Sequence, residues 1–341
     1  MAAIEQVGAP AKPIRAWSEP LAFAAMVLLL VVLPAFVYPV FLMKALCFAL
    51  FACAFNLLIG YVGLLSFGHA LFFGWAGYLS AHLAKVGQLS FPFWAGGWQW
   101  IVIPLPPLPP ELAILGGTAT AALLGLIVGS IAIRRQGIYF AMITLALAQM
   151  MFFFAVQAPF THGEDGIQAV PRGRLFGLVD LTNQTNMYIT VVVIFLASFL
   201  MIYRIINSPF GEVLKAIREN EPRAISLGYR TERYKLMAFV LSATFAGVAG
   251  ATKSIVFQLA SLTDVDWPTS GEVILMTLVG GLGTVFGPVF GAFTVVAMEN
   301  YLTTTIGQWV SVVQGSIFVF CVLLFRRGIV GELAHWLRVR L

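Results

Sequence analysis

Charge is what this chain has least of. Only 10% of its 341 residues are Asp, Glu, Lys or Arg and 60% are hydrophobic, whereas a soluble domain is about 25% charged. With a mean hydropathy of +0.91, a soluble globule is excluded. Cysteine is scarce as well. Cys47, Cys53 and Cys321 lie in apolar runs without metal-ligand or redox spacing, which argues against zinc or a disulfide framework and for small buried hydrophobes. The phosphate-cradling loop G-x-x-x-x-G-K-[ST] is absent, and so are H-E-x-x-H and G-x-S-x-G. No catalytic residue, metal ligand or cofactor is therefore assigned to the chain. Coupled carriers place carboxylates within their spans; here Glu272 and Glu299 are the only candidates, each near the end of an apolar segment. Energy for transport is thus expected from another chain. The net charge of +5 reflects loop lysines and arginines beside membrane spans, not nucleic-acid binding.

What the chain does have is long apolar runs. A spanning helix needs roughly 20 apolar residues, so about eight to ten segments account for most of the length. The fold class is all-α: a polytopic integral membrane helical bundle. A short polar N-terminal tail (1–20) precedes one transmembrane domain (21–330) and a C-terminal tail (331–341). Expected spans are Leu21–Met43, Ala45–Gly63, Ser66–Ala84, Leu112–Ile133, Gly137–Gln157, Met187–Ile206, Leu236–Gln258, Glu272–Met298 and Gly307–Phe325. Basic residues collect on the cytoplasmic side. Lys12, Arg15, Arg134, Arg135 and the tail arginines 326, 327, 338 and 340 place both termini there, with Lys44, Arg172 and Arg174 as exceptions. The parity then fails by one crossing. A Gly/Pro cluster, GGLGTVFGP, interrupts the segment 272–298. A broken or re-entrant pair of short helices there restores the count, and such breaks mark transport sites.

Ten of the thirty-five charges lie in the stretch 207–235, NSPFGEVLKAIRENEPRAISLGYRTERYK. Ser208 is suited to cap a helix with Pro209 at its first position. Phe210, Val213, Leu214 and Ile217 make one apolar stripe, Pro222 interrupts, and a second turn through Ala224 is closed by Gly228. Two short amphipathic helices fit a groove on a soluble partner or lie on the lipid interface. The missing energy source favours the partner. Elsewhere, Ala243, Gly247 and Ala251 form a close-packing face, and Gln308, Ser311 and Gln314 a polar stripe. Lys253 is read as snorkelling to the outer interface, and Lys85–Glu111 as an outer loop with aromatic anchors.

Four blocks resemble the permeases of branched-chain amino-acid ABC importers of the LivM type: NLLIGYVGLLSFGHALFFGWAGY (56–78), RRQGIYFAMITLALAQ (134–149), SPFGEVLKAIRENEPRAISLGY with YKLMAFVLSATFAGVAGA (208–251), and GEVILMTLVGGLGTVFGPVFGA (271–292). HGEDGI (162–167) is similar to that family's outer loop. The resemblance implies a non-catalytic inner-membrane subunit of a bacterial importer. Its partners would be a second permease, two cytoplasmic subunits that bind ATP, and a periplasmic solute-binding protein. The loop 207–235 is similar to the coupling loop of such importers: Ala224 and Gly228 keep the spacing, Pro222 stands where a Glu is expected, and Glu221 comes one place early. Expected coupling residues are Phe210, Leu214, Arg218, Glu219, Glu221, Ala224 and Gly228. Expected contacts along the translocation path are Asn56, Ser66, His69, Tyr139, Thr144, Gln149, Thr277, Gly280, Gly281 and Gly283. An apolar lining would draw on Phe67, Phe72, Phe73 and Met276, which core packing explains equally. Related permeases carry urea, sugars or nucleosides, and a self-contained channel or ion-coupled carrier is the other class.

Overall fold

A computed structural model describes residues 18–85, 88–94, 98–104 and 107–309, together with 312–313, 315–316, 319, 328–330 and 332. Helix α1 (Ser18–Val32) gives way to a 3-10 turn at Leu33–Ala35, and α2 (Pro39–Ile59) starts with Pro39 in its first turn, where a missing N–H is harmless. The expected boundary between the first two spans therefore moves: the break falls at Pro34 and Pro39, and Lys44 lies inside α2. Apart from Lys44, every residue of α2 from Leu42 to Leu58 is buried. This helix is the post around which α6, α9, α10 and α11 pack.

An irregular stretch, 60–68, separates α2 from α3 (His69–Lys85). The aromatic loop that follows is an antiparallel hairpin, β1 (Gln88–Trp94) with β2 (Trp98–Pro104), a local exception to the helical class. Helices α4 (Pro110–Ala132) and α5 (Ile138–Gln157) come next. The connection to α6 (Gln184–Ile206) carries three two-residue strands: β3 (Ile167–Gln168), β4 (Arg174–Leu175) and β5 (Val179–Asp180). Strand β4 pairs with β5, and β3 pairs with β6 (Leu259–Ala260) beyond α9. Arg172 donates to the Val256 carbonyl at 2.8 Å, so its charge faces the negative end of α9 (Thr231–Phe257).

Between α6 and α9 lie α7 (Pro209–Glu219) and α8 (Glu221–Ser226); this end of the bundle is the island end, and the opposite one the far end. Helix α10 (Trp267–Gly280) descends from the far end, and α11 (Gly287–Ile306) returns to it. The two pack together as a helical hairpin, so the expected break is present, centred on 281–286 within a hairpin that begins at Trp267. Gly328 lies against Gly281 at the island end. Cys321, the tail arginines, most of the final span and its polar stripe, and nearly all of both terminal tails lie outside the described residues.

Helices α2, α4, α5, α6 and α9 are long and apolar enough to cross a membrane. Small residues bring α4 and α9 together. Gly125 on α4 meets Ala243, and Gly247 on α9 meets Ala121, so a methyl at either glycine would collide with the neighbour's Cβ. A Cβ at Gly117 would stand 3.1 Å from the Ala251 Cβ and collide with the Ala76 carbonyl of α3. The expected face Ala243/Gly247/Ala251 thus has a matching face, Gly117/Ala121/Gly125, on its partner. Where no hydrophobic force acts between helices, such close approach supplies the attraction.

Candidate functional site

The island is built as local rules dictate. The Ser208 side chain accepts from the Gly211 N–H and caps α7; the Asn220 side chain accepts from the Arg223 N–H and caps α8. Asn220 is extended between the helices, and Gly228, with φ +90°, closes the second. The apolar stripe of α7 faces the bundle, with Leu214 and Ile217 buried and Phe210 stacked on Tyr234. Ala224 is buried as well. The hydrophobic groups that look outward belong to α8 and the turn after it: Ile225, Leu227 and Tyr229, exposed by 55%, 70% and 41%. Glu221 turns inward and bonds Lys235 at 2.6 Å and Gln136 at 2.9 Å, fastening α8 to α9 and to the α4–α5 turn. Glu219 remains exposed.

Arg218, exposed overall, also bonds back to the bundle. One guanidinium nitrogen bonds the Gly60 carbonyl, one of those left over where α2 ends. Its stem crosses Gly63, where an added Cβ would stand 3.2 Å from the Arg218 Cγ, and its head lies beside Gly283. Asn56, one turn before Gly60, holds the α10–α11 turn. Its Oδ1 accepts from the Gly283 N–H at 3.0 Å and its Nδ2 donates to the Thr284 carbonyl at 2.9 Å. The two bonds together fix the orientation of the amide. Gly281 (φ +125°) and Gly283 (φ +75°) supply the positive φ that this turn needs, and Gly280 lets the Gly287 carbonyl approach.

The path candidates thus divide. Asn56, Gly280, Gly281 and Gly283 come together at the hairpin turn. Thr277, fully buried, bonds back to the Val273 and Ile274 carbonyls. Ser66 accepts from the Gly68 N–H at 3.3 Å, and Gly68 abuts the Thr144 carbonyl; Thr144 itself donates to Ala141. His69 is fully buried, 2.8 Å from Ser242 Oγ. The Ser242 hydroxyl donates to the Ala54 carbonyl at 2.5 Å, so His69 Nε2–H must be the donor to Ser242. Phe55, Phe72 and Phe239 surround its ring edge-on. Tyr139 stands apart and exposed, and Gln149 is half-buried on α5. Phe72, Phe73 and Met276 are core.

Near the far end, Glu272 and Glu299, the two candidate carboxylates of the sequence, belong to a group of charges whose pairing the sequence did not reveal. Lys44 of α2 pairs with Glu299 of α11 at 3.1 Å. Lys253, read as snorkelling, pairs with Asp264 and sits over the Phe48 and Phe73 rings, 5.2 and 5.5 Å from their centroids. Glu272 lies within electrostatic reach of both pairs. Each pair joins different elements, and no local sequence pattern marks it.

A bundle of apolar helices with a broken helical hairpin, and with a folded charged knuckle at one end, defines a polytopic membrane permease. The chain belongs to the family described as branched-chain amino acid transport system / permease component, whose model matches residues 39–322. It is 24% identical over 298 residues to the high-affinity branched-chain amino acid transport system permease protein LivM of Salmonella typhimurium, and 25% identical over 297 residues to that of Escherichia coli. Each match covers 80% of this chain and 65% of the relative. The chain therefore matches about two thirds of the length of those relatives. The ribose import permease protein RbsC of Bacillus subtilis is 27% identical over 202 residues, 53% of this chain and 58% of the relative. No solved structure matches the chain.

Proposed function

We propose that the chain is the membrane-spanning permease subunit of an ATP-driven importer for branched-chain amino acids. It forms part of the path and is driven through the island by a separate ATP-binding subunit. The observation that carries this reading is the island itself. Leu214, Ile217 and Ala224 hold it to the bundle, Arg218 and Glu221 fasten it, and Ile225, Leu227 and Tyr229 are left free as an apolar docking face. A sequence without a nucleotide loop but with a fixed knuckle is suited to receive work from a neighbour. The excess of basic residues in 207–235 puts the island in the cytoplasm, which orients the far end, with its loops, toward a periplasmic solute-binding protein. A second permease and two ATPases complete the assembly in the inner membrane of a bacterium. The named relatives support the solute class; the match to a ribose permease supports a sugar as the second reading.

The test is reconstitution of the chain with its permease and ATPase partners in liposomes, with binding protein outside. ATP-dependent accumulation of labelled leucine, outcompeted by isoleucine or valine but not by ribose, is the expected result. Uptake by the chain alone would overturn the division of labour, and competition by ribose alone would overturn the solute class.

A further inference from the structure

Three glycines from two distant parts of the chain make a slot for one side chain of the island. Gly60 and Gly63 lie at the end of α2 and Gly283 in the α10–α11 turn; the otherwise exposed Arg218 of α7 runs along Gly63 and Gly283 and bonds the Gly60 carbonyl. Any Cβ at Gly63 or Gly283 would stand 3.2 Å from an Arg218 atom, and one at Gly60 would stand 2.9 Å from the Gly283 backbone nitrogen. The hairpin turn is held from outside: the backbone N–H of Gly283 and the carbonyl of Thr284 are both bound by the Asn56 side chain. From these contacts we infer that Arg218 and Asn56 are positioning residues. They form two links in series that tie the α10–α11 turn to α7, so that displacement of the island moves the broken hairpin.

The physical reason lies in the kind of attachment. Leu214 and Ile217 bind α7 to the bundle by apolar contact, which is non-directional. The guanidinium–carbonyl bond and the two amide bonds of Asn56 are directional and short-range, and so they transmit a displacement. The island also divides at Asn220: Arg218, before it, leads to α2 and the hairpin, whereas Glu221, after it, leads to Lys235 and Gln136. Motion of the knuckle against the α8 attachment is therefore felt at the hairpin turn. This inference rests on the reading of the island as the part driven by an ATPase.

The experiment uses the full importer in proteoliposomes and reads leucine taken up per ATP hydrolysed. Arg218→Met keeps an apolar stem over Gly63 but removes the donor to the Gly60 carbonyl, and Asn56→Ala removes both bonds to the turn. Each is expected to lower the ratio about tenfold, the scale of a hydrogen bond lost with its partner left unsatisfied. The double variant is expected to fall no further than the worse single one, because serial links fail together. A ratio equal to the parent's in an assembled Arg218→Met complex would overturn the relay, as would losses that multiply in the double variant. If Asn56→Ala does not assemble, Asn56→Asp, which keeps the acceptor for Gly283 and loses the donor to Thr284, takes its place with the same expected fall. Absence of ATP-driven uptake by the parent complex would remove the functional reading and this inference with it.

Discussion

A methyl group distinguishes the glycines that hold this bundle together from those that do not. At Gly250 of α9 a Cβ would run into the Phe73 carbonyl of α3, a backbone atom that cannot swing aside, whereas at Gly271 of α10 it would meet nothing within 4 Å. Gly250→Ala should therefore lower the unfolding midpoint in detergent, at a cost of about 1–3 kcal/mol for overpacking. Gly271→Ala should raise it, adding about 0.5–1 kcal/mol of stability, since alanine loses less backbone entropy in a helix. Equal effects from the two would mean that α3 and α9 are less closely packed than these contacts require. The Lys253–Asp264 pair makes a matching case for charge. Its side chains are only 16% and 14% exposed, so Lys253→Met leaves a carboxylate without its cation and should cost about 3–5 kcal/mol. Adding Asp264→Leu should restore most of that loss in the same melting assay. A Lys253→Met protein as stable as its parent would show the pair to be hydrated.

At the scale of elements, what could be read from the sequence was whatever has a short-range cause. Ser208, Pro209 and the stripe Phe210/Val213/Leu214/Ile217 announce α7, and the structure has that helix from Pro209 to Glu219. The Gly/Pro cluster announces the break in 272–298, and Ala243/Gly247/Ala251 announce a packing face. The direction in which a face points is a different matter. Leu214 and Ile217 of the α7 stripe are buried against the chain's own helices while Phe210 and Val213 are half-buried, and the most exposed apolar groups are those of α8 and the turn after it, because one apolar stripe fits a partner and a bundle equally well. Roles set by long-range pairing were hidden for the same reason: Asn56 meets Gly283, and Lys44 meets Glu299, across more than two hundred residues. The cap of α8 was legible in principle, since Asn220 precedes Pro222 in the way a helix start requires. Asn220→Ala should cost about 1 kcal/mol of α8 stability and so reduce amide-exchange protection over 224–227 roughly fivefold. Unaltered protection would mean that the tertiary contact of Ala224, not the cap, holds α8 in place.

For the whole molecule the decisive quantity is parity. Were 272–298 a single crossing, the arginine-rich tail would finish on the side away from the island. The α10–α11 hairpin removes the discrepancy by descending to the island end and climbing back, and Gly328 is found beside Gly281 at that same end. Of the basic residues toward the far end, Arg174 is exposed and remains an exception to the charge rule, whereas Lys44, Arg172 and Lys253 need no exemption. Each is bound within the protein, to Glu299, to the Val256 carbonyl and to Asp264, and so contributes little free positive charge there. Two exposed leucines report the sidedness directly: Leu227 beside α8 and Leu178 in the loop before α6, 70% and 87% exposed. In a background with Cys47, Cys53 and Cys321 changed to Ala, Leu178→Cys should react with a membrane-impermeant maleimide in intact spheroplasts. Leu227→Cys should react only after the membrane is permeabilised, and less so when the ATP-binding subunit is co-assembled. Labelling of both from one side would break the parity on which the island's role depends, and a reversed pattern would direct the knuckle away from any cytoplasmic source of ATP.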